Sequence, residues 1–134
     1  RKRRVDRVHL KGGEADRVEI HGPSRSYPVS FSCLVMATGD TVGSGLVVRD
    51  EAVEPGCAPF QMAQGGSAFP LHRAAGAGLV VERLHSLDRE GKVVRNVVVA
   101  GSLLEGISYP LGQGLGAVLL SSALAAREAR EVIG

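Results

Sequence analysis

The sequence predicts a mixed α/β fold. Three observations carry that expectation. The opening residues place apolar side chains at alternate positions, Val8 and Leu10, then Val18 and Ile20, as half-buried strands do. Val97, Val98, Val99 and Ala100 form a continuous apolar run, as a strand covered on both faces does. Residues 117–126 hold no Gly or Pro and are rich in Ala and Leu, which predicts a helix.

Taken in order, residues 5–10 and 15–21 pair through the turn Lys11-Gly12-Gly13-Glu14 as a β-hairpin with one wet face. Gly22-Pro23-Ser24 is a second turn. Residues 27–37 read as a third strand. Val29, Phe31 and Cys33 alternate before Leu34-Val-Met-Ala37 turns continuously apolar, so the chain leaves an exposed meander and enters a buried sheet. Residues 40–78 are rich in Gly and Pro and show weak periodicity, a long loop region that is either functional or shaped by a partner surface. A short strand is expected at 79–81 and a turn at 87–92. Residues 96–131 then form a strand, a Gly-rich turn and a helix, with Arg127 and Glu131 spaced as an i,i+4 ion pair and Gly134 as the stop. The whole, 1–134, reads as a single domain.

Composition narrows the function classes. Net charge is +2, and Arg1, Lys2, Arg3 and Arg4 supply much of the basic excess. Without that arm the chain is near neutral, and five aromatic residues against 18 glycines suit a backbone-lined ligand site better than base stacking, so no nucleic-acid partner is expected. Cys33 and Cys57 form no metal-binding spacing and read as incidental thiols of a reducing compartment. No apolar run has membrane-spanning length and no signal peptide is read. The chain opens on Arg1 rather than methionine, and is read as a processed chain or a piece of a longer polypeptide.

The strand–turn–helix unit is the candidate site. Gly112, Gly114 and Gly116 lie where the helix begins, and a backbone without side chains lets a ligand reach the free amides and the positive end of the helix dipole. The strands at 34–38 and 97–101 both end in glycine, at the edge where open α/β sheets bind ligands. The three glycines follow their strand by about ten residues, too far for a dinucleotide fingerprint, so close helix–sheet packing is the competing explanation.

Leu34-Val-Met-Ala-Thr-Gly39, Gly43-Ser-Gly45-Leu46, Glu54-Pro55, Asn96-Val-Val-Val-Ala-Gly-Ser102 and Pro110-Leu-Gly-Gln-Gly114 together carry a family resemblance, and Ser122-Ala-Leu-Ala-Ala126 continues it. The chain resembles the C-terminal part of the B subunit of anaerobic glycerol-3-phosphate dehydrogenase, a two-dinucleotide-domain flavoprotein. That resemblance implies a partial FAD/NAD(P)-binding, Rossmann-like domain, with an antiparallel β-meander, parallel strands and a C-terminal helix. It implies oxidation of sn-glycerol 3-phosphate to dihydroxyacetone phosphate, with electrons passed to a membrane-linked acceptor. A flavin, FAD or FMN, is implied in the complete protein, with a catalytic A-type subunit and a membrane-anchoring electron-transfer subunit as partners. The implied location is cytoplasmic, peripheral to the inner face of the membrane.

The residues it assigns to the cofactor are Thr38 and Gly39 near the dinucleotide, Gly101, Ser102, Glu105 and Gly106 along the sugar chain, and Gly114, Leu115 and Gly116 at the helix start. Tyr109 stands where the family carries an acidic residue, and the pyrophosphate-binding Gly motif would lie upstream of this stretch. The stretch alone is therefore expected to hold no flavin and to be inactive, and its open strand edges predict homodimerisation or strand exchange. The alternative reading is a non-catalytic binding or assembly module that keeps part of the flavoprotein fold without the cofactor.

Other residues are weighed against blander roles. His9, His21, His72 and His85 have no metal spacing. His72, Arg73 and Arg49 suit a phosphate but read more simply as solvated charges. Ser44 lacks the G-x-S-x-G frame of a nucleophile elbow, and Glu54 before Pro55 reads as a turn carboxylate. No residue stands out as a catalytic base.

Overall fold

A computed structural model describes residues 4–39, 45–49, 52–56, 59–63, 76–107 and 114–134. The architecture is mixed α/β, with mostly antiparallel sheets and a C-terminal helix. Strands β1 (Arg4–Lys11), β2 (Glu14–His21) and β3 (Ser26–Ser30) form an antiparallel meander in the order β1-β2-β3. Gly12 and Gly13 both adopt positive φ, +63° and +84°, which a two-residue hairpin turn matched to strand twist requires. Val8 and Val18 pair across the hairpin and are buried, which fixes the register by the apolar face.

The second sheet has the order β4-β11-β10-β9, from β4 (Leu34–Met36), β9 (Val81–Glu82), β10 (His85–Leu87) and β11 (Val93–Val99). β4 and β11 run parallel, whereas β10 pairs antiparallel with both neighbours. The central strand is buried on both faces, as its continuous apolar run predicts. Val97 and Val99 enter a core with Val8, Val18, Met36, Leu46, Phe60, Leu79 and Leu103. Val98 and Ala100 face Ala125 of helix α1 (Leu115–Ile133). That helix runs two residues further at each end than 117–131, and Gly134, at φ +90°, stops it.

Three expectations are corrected. The stretch 27–37 is not one strand but two, β3 and β4, which break at 31–33 and belong to different sheets. Residues 40–78 are not all loop: β5 (Leu46–Arg49) pairs with β6 (Ala52–Pro55), and β7 (Met62–Ala63) pairs with β8 (Gly78–Leu79). Such short strands carry too few residues to show a period. The Leu34–Met36 strand is not buried on both faces either, because β4 is the edge of its sheet and Val35 remains 45% exposed.

Asn96 locks the meander to this sheet. Its Oδ1 accepts the Ala15 amide at 2.9 Å, and its Nδ2 donates to the Ala15 carbonyl at 2.6 Å and the Ser32 carbonyl at 3.4 Å. The side chain replaces a strand partner at a buried point where neither group of Ala15 meets water.

Candidate functional site

The site is built where β4 and β11 end. Their parallel register runs from Leu34 opposite Val97 to Met36 opposite Val99, and the Ala100 amide closes it by donating to the Met36 carbonyl at 2.9 Å. Beyond that rung both chains turn through left-handed glycines, Gly39 at φ +73° and Gly101 at φ +74°. A β-carbon at either position would be strained.

Gly45 closes this edge from a third side. A β-carbon there would overlap the Gly39 carbonyl and lie 2.6 Å from Thr38 Oγ1 and 3.0 Å from Leu103 Cδ1. Gly45 is thus a close-approach position: its backbone touches the end of β4 while Leu46 enters the core. The 3-10 turn Gly101–Leu103 follows β11 and packs against α1. The structure therefore gathers Thr38, Gly39, Gly101 and Ser102 at one sheet edge.

Helix α1 begins beside them. Its N-cap is Gly114, with no side-chain cap and no acidic residue in the first turn, so among the described residues no side chain caps the leading amides. Gly114 is buried, whereas Leu115 and Gly116 are exposed. A β-carbon on Gly116 would meet nothing within 4 Å. Close packing against the sheet thus explains Gly114 better than Gly116.

Glu105 and Gly106 turn the other way, over β8. The Glu105 amide donates to the Leu79 carbonyl at 3.2 Å and the Gly106 amide to the Gly76 carbonyl at 3.0 Å. Gly78 permits this, because its β-carbon would lie 2.5 Å from Glu105 N and the Leu104 carbonyl carbon. The Gly101 amide is also spent inside the protein, on Ser121 Oγ at 3.1 Å. What this edge offers a ligand is the half-buried Ser102, the exposed Thr38 and the leading amides of α1.

Sequence reasoning missed Ser121. It is 6% exposed and shares a helix face with the buried Ala125 and Ala129. A lone hydroxyl in an i, i+4, i+8 row of small residues was the available signal. Sequence reasoning also passed over Gly45 and Asn96 as structural devices; neither breaks a local pattern.

The described histidines, His9, His21 and His85, lie away from this edge. His9 Nε2 is 3.1 Å from Glu19 Oε1 on the meander, without hydrogen-bond alignment. His21 Nδ1 meets Ser26 Oγ at 3.1 Å and lies 3.6 Å from Asp6. His85 Nε2 contacts Glu128 Oε2 at 3.3 Å, tying α1 to β10. A groove beside that contact is lined by Glu82, Arg83, Arg95 and Glu131. Cys33 lies behind the sheet near Val98 and Ala125, where burial pushes its thiol pKa up. Among the described residues no group of three His, Cys, Asp or Glu is placed to hold a metal. Gly43, Ser44, Cys57, His72, Arg73, Tyr109, Pro110, Gly112 and the Arg1–Arg3 arm lie outside the described residues, as does the side chain of Arg49.

Compared with family models, curated proteins and solved structures, the chain matches none. Among the described residues no helix is long and apolar enough to cross a membrane.

Proposed function

We propose that this chain is the C-terminal portion of a flavin-dependent oxidoreductase subunit. Its fold is a partial FAD/NAD(P)-binding, Rossmann-like domain of the anaerobic glycerol-3-phosphate dehydrogenase B type. One observation carries the reading: a parallel strand pair, both members ending in left-handed glycines, abuts a helix whose first turn has no side-chain cap. Parallel strands ending beside a helix N-terminus form the side of an α/β sheet on which ligands bind.

The donor set suits one wall of a flavin crevice. Thr38, Gly39, Ser102 and the backbone of Gly114, Leu115 and Gly116 would line it. Gly101 would shape the wall without donating its amide, which is already spent, and Glu105 and Gly106, turned over β8, would stay off it. A bound flavin supplies the redox chemistry, taking electrons from sn-glycerol 3-phosphate and passing them to a membrane-linked acceptor. The protein's own contribution is electrostatic, since the positive end of α1 favours negative charge placed beside it.

The remaining wall belongs to other polypeptide. β4 has no partner on its outer edge among the described residues, and Val35 beside it is exposed. Leu115 and Leu119 are more than 60% exposed on α1. An open parallel edge next to an apolar helix surface is what an incomplete domain presents. In the complete protein this subunit would join a catalytic A-type subunit and a membrane-anchoring electron-transfer subunit at the cytoplasmic face of the membrane.

The test is the visible spectrum of the complete gene product, purified without added cofactor. Flavin absorption bands, released as FAD or FMN on denaturation, are expected. A colourless protein that neither takes up flavin nor reduces an acceptor dye with sn-glycerol 3-phosphate would overturn the reading. A cofactor-free assembly module is the second reading. It is favoured by the internal use of the Gly101, Glu105 and Gly106 amides, and that same colourless outcome would support it.

A further inference from the structure

Strand β4 and helix α1 leave the same edge of the structure open. The Met36 carbonyl accepts the Ala100 amide, so Met36 turns its backbone groups to β11, and strand alternation turns those of Val35 outward. Among the described residues no strand pairs with them, and the Val35 side chain is 45% exposed. In register with Val98, that side chain stands on the sheet face that carries α1.

The neighbouring flank of α1 is apolar. Glu128 reaches His85 on β10, while Ser121 and Ala125 face the sheet. At 3.6 residues per turn, the flank away from Glu128 carries Leu115, Leu119, Ser122, Ala126, Ala129 and Ile133. The sheet order β4-β11-β10 puts that flank on the side of β4. Leu115, Leu119 and Ile133 are 67%, 63% and 66% exposed. The six residues are spaced four, three, four, three and four apart, which reads the same from either end and centres on residue 124. Ala125 packs on Val98, and Val98 is in register with Val35, so the centre of the stripe stands level with Val35.

We propose that this edge is the two-fold interface of a homodimer, occupied by a second copy of this chain. β4 pairs antiparallel with its copy at Val35, and α1 packs antiparallel against its copy above the joint. A two-fold contact needs a surface that matches its own reverse. The stripe does so about residue 124, and the outward Val35 groups do so by exchanging both hydrogen bonds with their copies. The spacing agrees. Strands lie about 4.8 Å apart, so a helix seated over β4 and β11 stands about 5 Å from the axis and about 10 Å from its copy, a helix-packing distance. Ser122 and Ala126 oppose each other there and are small enough for close approach. The exposed aliphatic side chains, Val35 and the small residues between them bring roughly 600 Å² per copy, about 1,200 Å² in all, the lower end for a specific interface. This inference goes beyond the flavin reading and does not rest on it.

Light scattering of the chain across micromolar concentrations reads the assembly, and twice the chain mass of 14.0 kDa is expected. Leu119→Glu is expected to raise the dimer Kd at least about a hundredfold with circular dichroism unchanged, because the axis places the charge in the contact twice. Leu120→Glu, equally exposed at 63% but off the stripe, is expected to change the Kd by less than about threefold. Val35→Cys, made together with Cys33→Ala and Cys57→Ala, is expected to cross-link two copies on oxidation, since a hydrogen-bonded antiparallel pair sets the Cα atoms about 5.5 Å apart. A monomer overturns the proposal and leaves the edge to the rest of the gene product. A dimer that Leu120→Glu weakens as much as Leu119→Glu, or one that Val35→Cys fails to cross-link, overturns it as well. Flavin content decides the functional reading separately, so either can fail while the other stands.

Discussion

Replacing Asn96 by alanine tests how the meander is held to the sheet. The variant strips partners from the Ala15 amide and the Ala15 carbonyl, bonded at 2.9 and 2.6 Å, at a residue only 1% exposed. Each buried backbone group left unpaired costs roughly 1–3 kcal/mol, so for two groups the expected loss is about 2–6 kcal/mol. Domains of this size are stable by only about 5–15 kcal/mol, so the effect is large. Urea unfolding followed by far-UV circular dichroism measures it, with the midpoint falling and the slope unchanged.

Asn96→Asp supplies a control with a definite sign. Its carboxylate still accepts the Ala15 amide but opposes the Ala15 carbonyl. Protonated, it donates to that carbonyl and restores the pair. Folding therefore raises the introduced group's pKa above its unfolded value of about 3.9. The folded state binds more protons, so this contribution is complete below the unfolded pKa and is lost as pH rises through the folded one. Measured as a difference from Asn96→Ala, Asn96→Asp should gain stability towards pH 4. A loss below about 1 kcal/mol for Asn96→Ala, or no acid recovery for Asn96→Asp, would refute the account.

Three further outcomes are expected from the same unfolding assay. Gly45→Ala should destabilise by at least about 1–3 kcal/mol, because its β-carbon meets the Gly39 backbone; Gly116→Ala, which meets nothing within 4 Å, should stabilise by about 0.5–1 kcal/mol. If Gly116 lines the cofactor, that same alanine should also weaken flavin retention. Arg83→Asn should stabilise by about 0.5–1 kcal/mol, since Arg83 and Leu84 occupy a two-residue turn at φ +51° and +69° that asparagine tolerates better. Burial raises the Cys33 thiol pKa, so its contribution to stability is complete below the unfolded thiol pKa and is lost as pH rises through the higher folded value. Cys33→Ala should accordingly flatten part of the alkaline decline in stability.

Periodicity made the frame legible. Alternation over residues 5–10 and 15–21, the continuous run at 97–100 and the Ala-rich stretch at 117–126 each spans enough residues to reveal its period, and each forms the element its pattern requires. The pairs β5–β6 and β7–β8 were illegible for the opposite reason: their strands are two to four residues long, and their partners rather than their propensity place them. Val35 shows a different failure. Its apolar run implies burial on both faces, yet a residue at the sheet edge is covered only if something outside the described residues covers it.

At the candidate site the division falls between backbone and side chain. Gly39 and Gly101 were readable because strand-ending left-handed turns admit few other residues, whereas the close approach at Gly45 depends on distant partners and was not. Sequence alone does not tell which amides stay free, because that depends on distant partners. Gly101 finds Ser121 twenty residues away, and Glu105 finds Leu79 across a strand. The same glycine pattern thus supports two readings, a backbone that faces a ligand and a backbone that closes on its own fold. Counting spent amides separates them: Gly101, Glu105 and Gly106 belong to the second class. The leading turn of α1, with no capping side chain among the described residues, is left to the first. The functional proposal therefore rests on Leu115 and Gly116 more than on the glycines of the β11 turn.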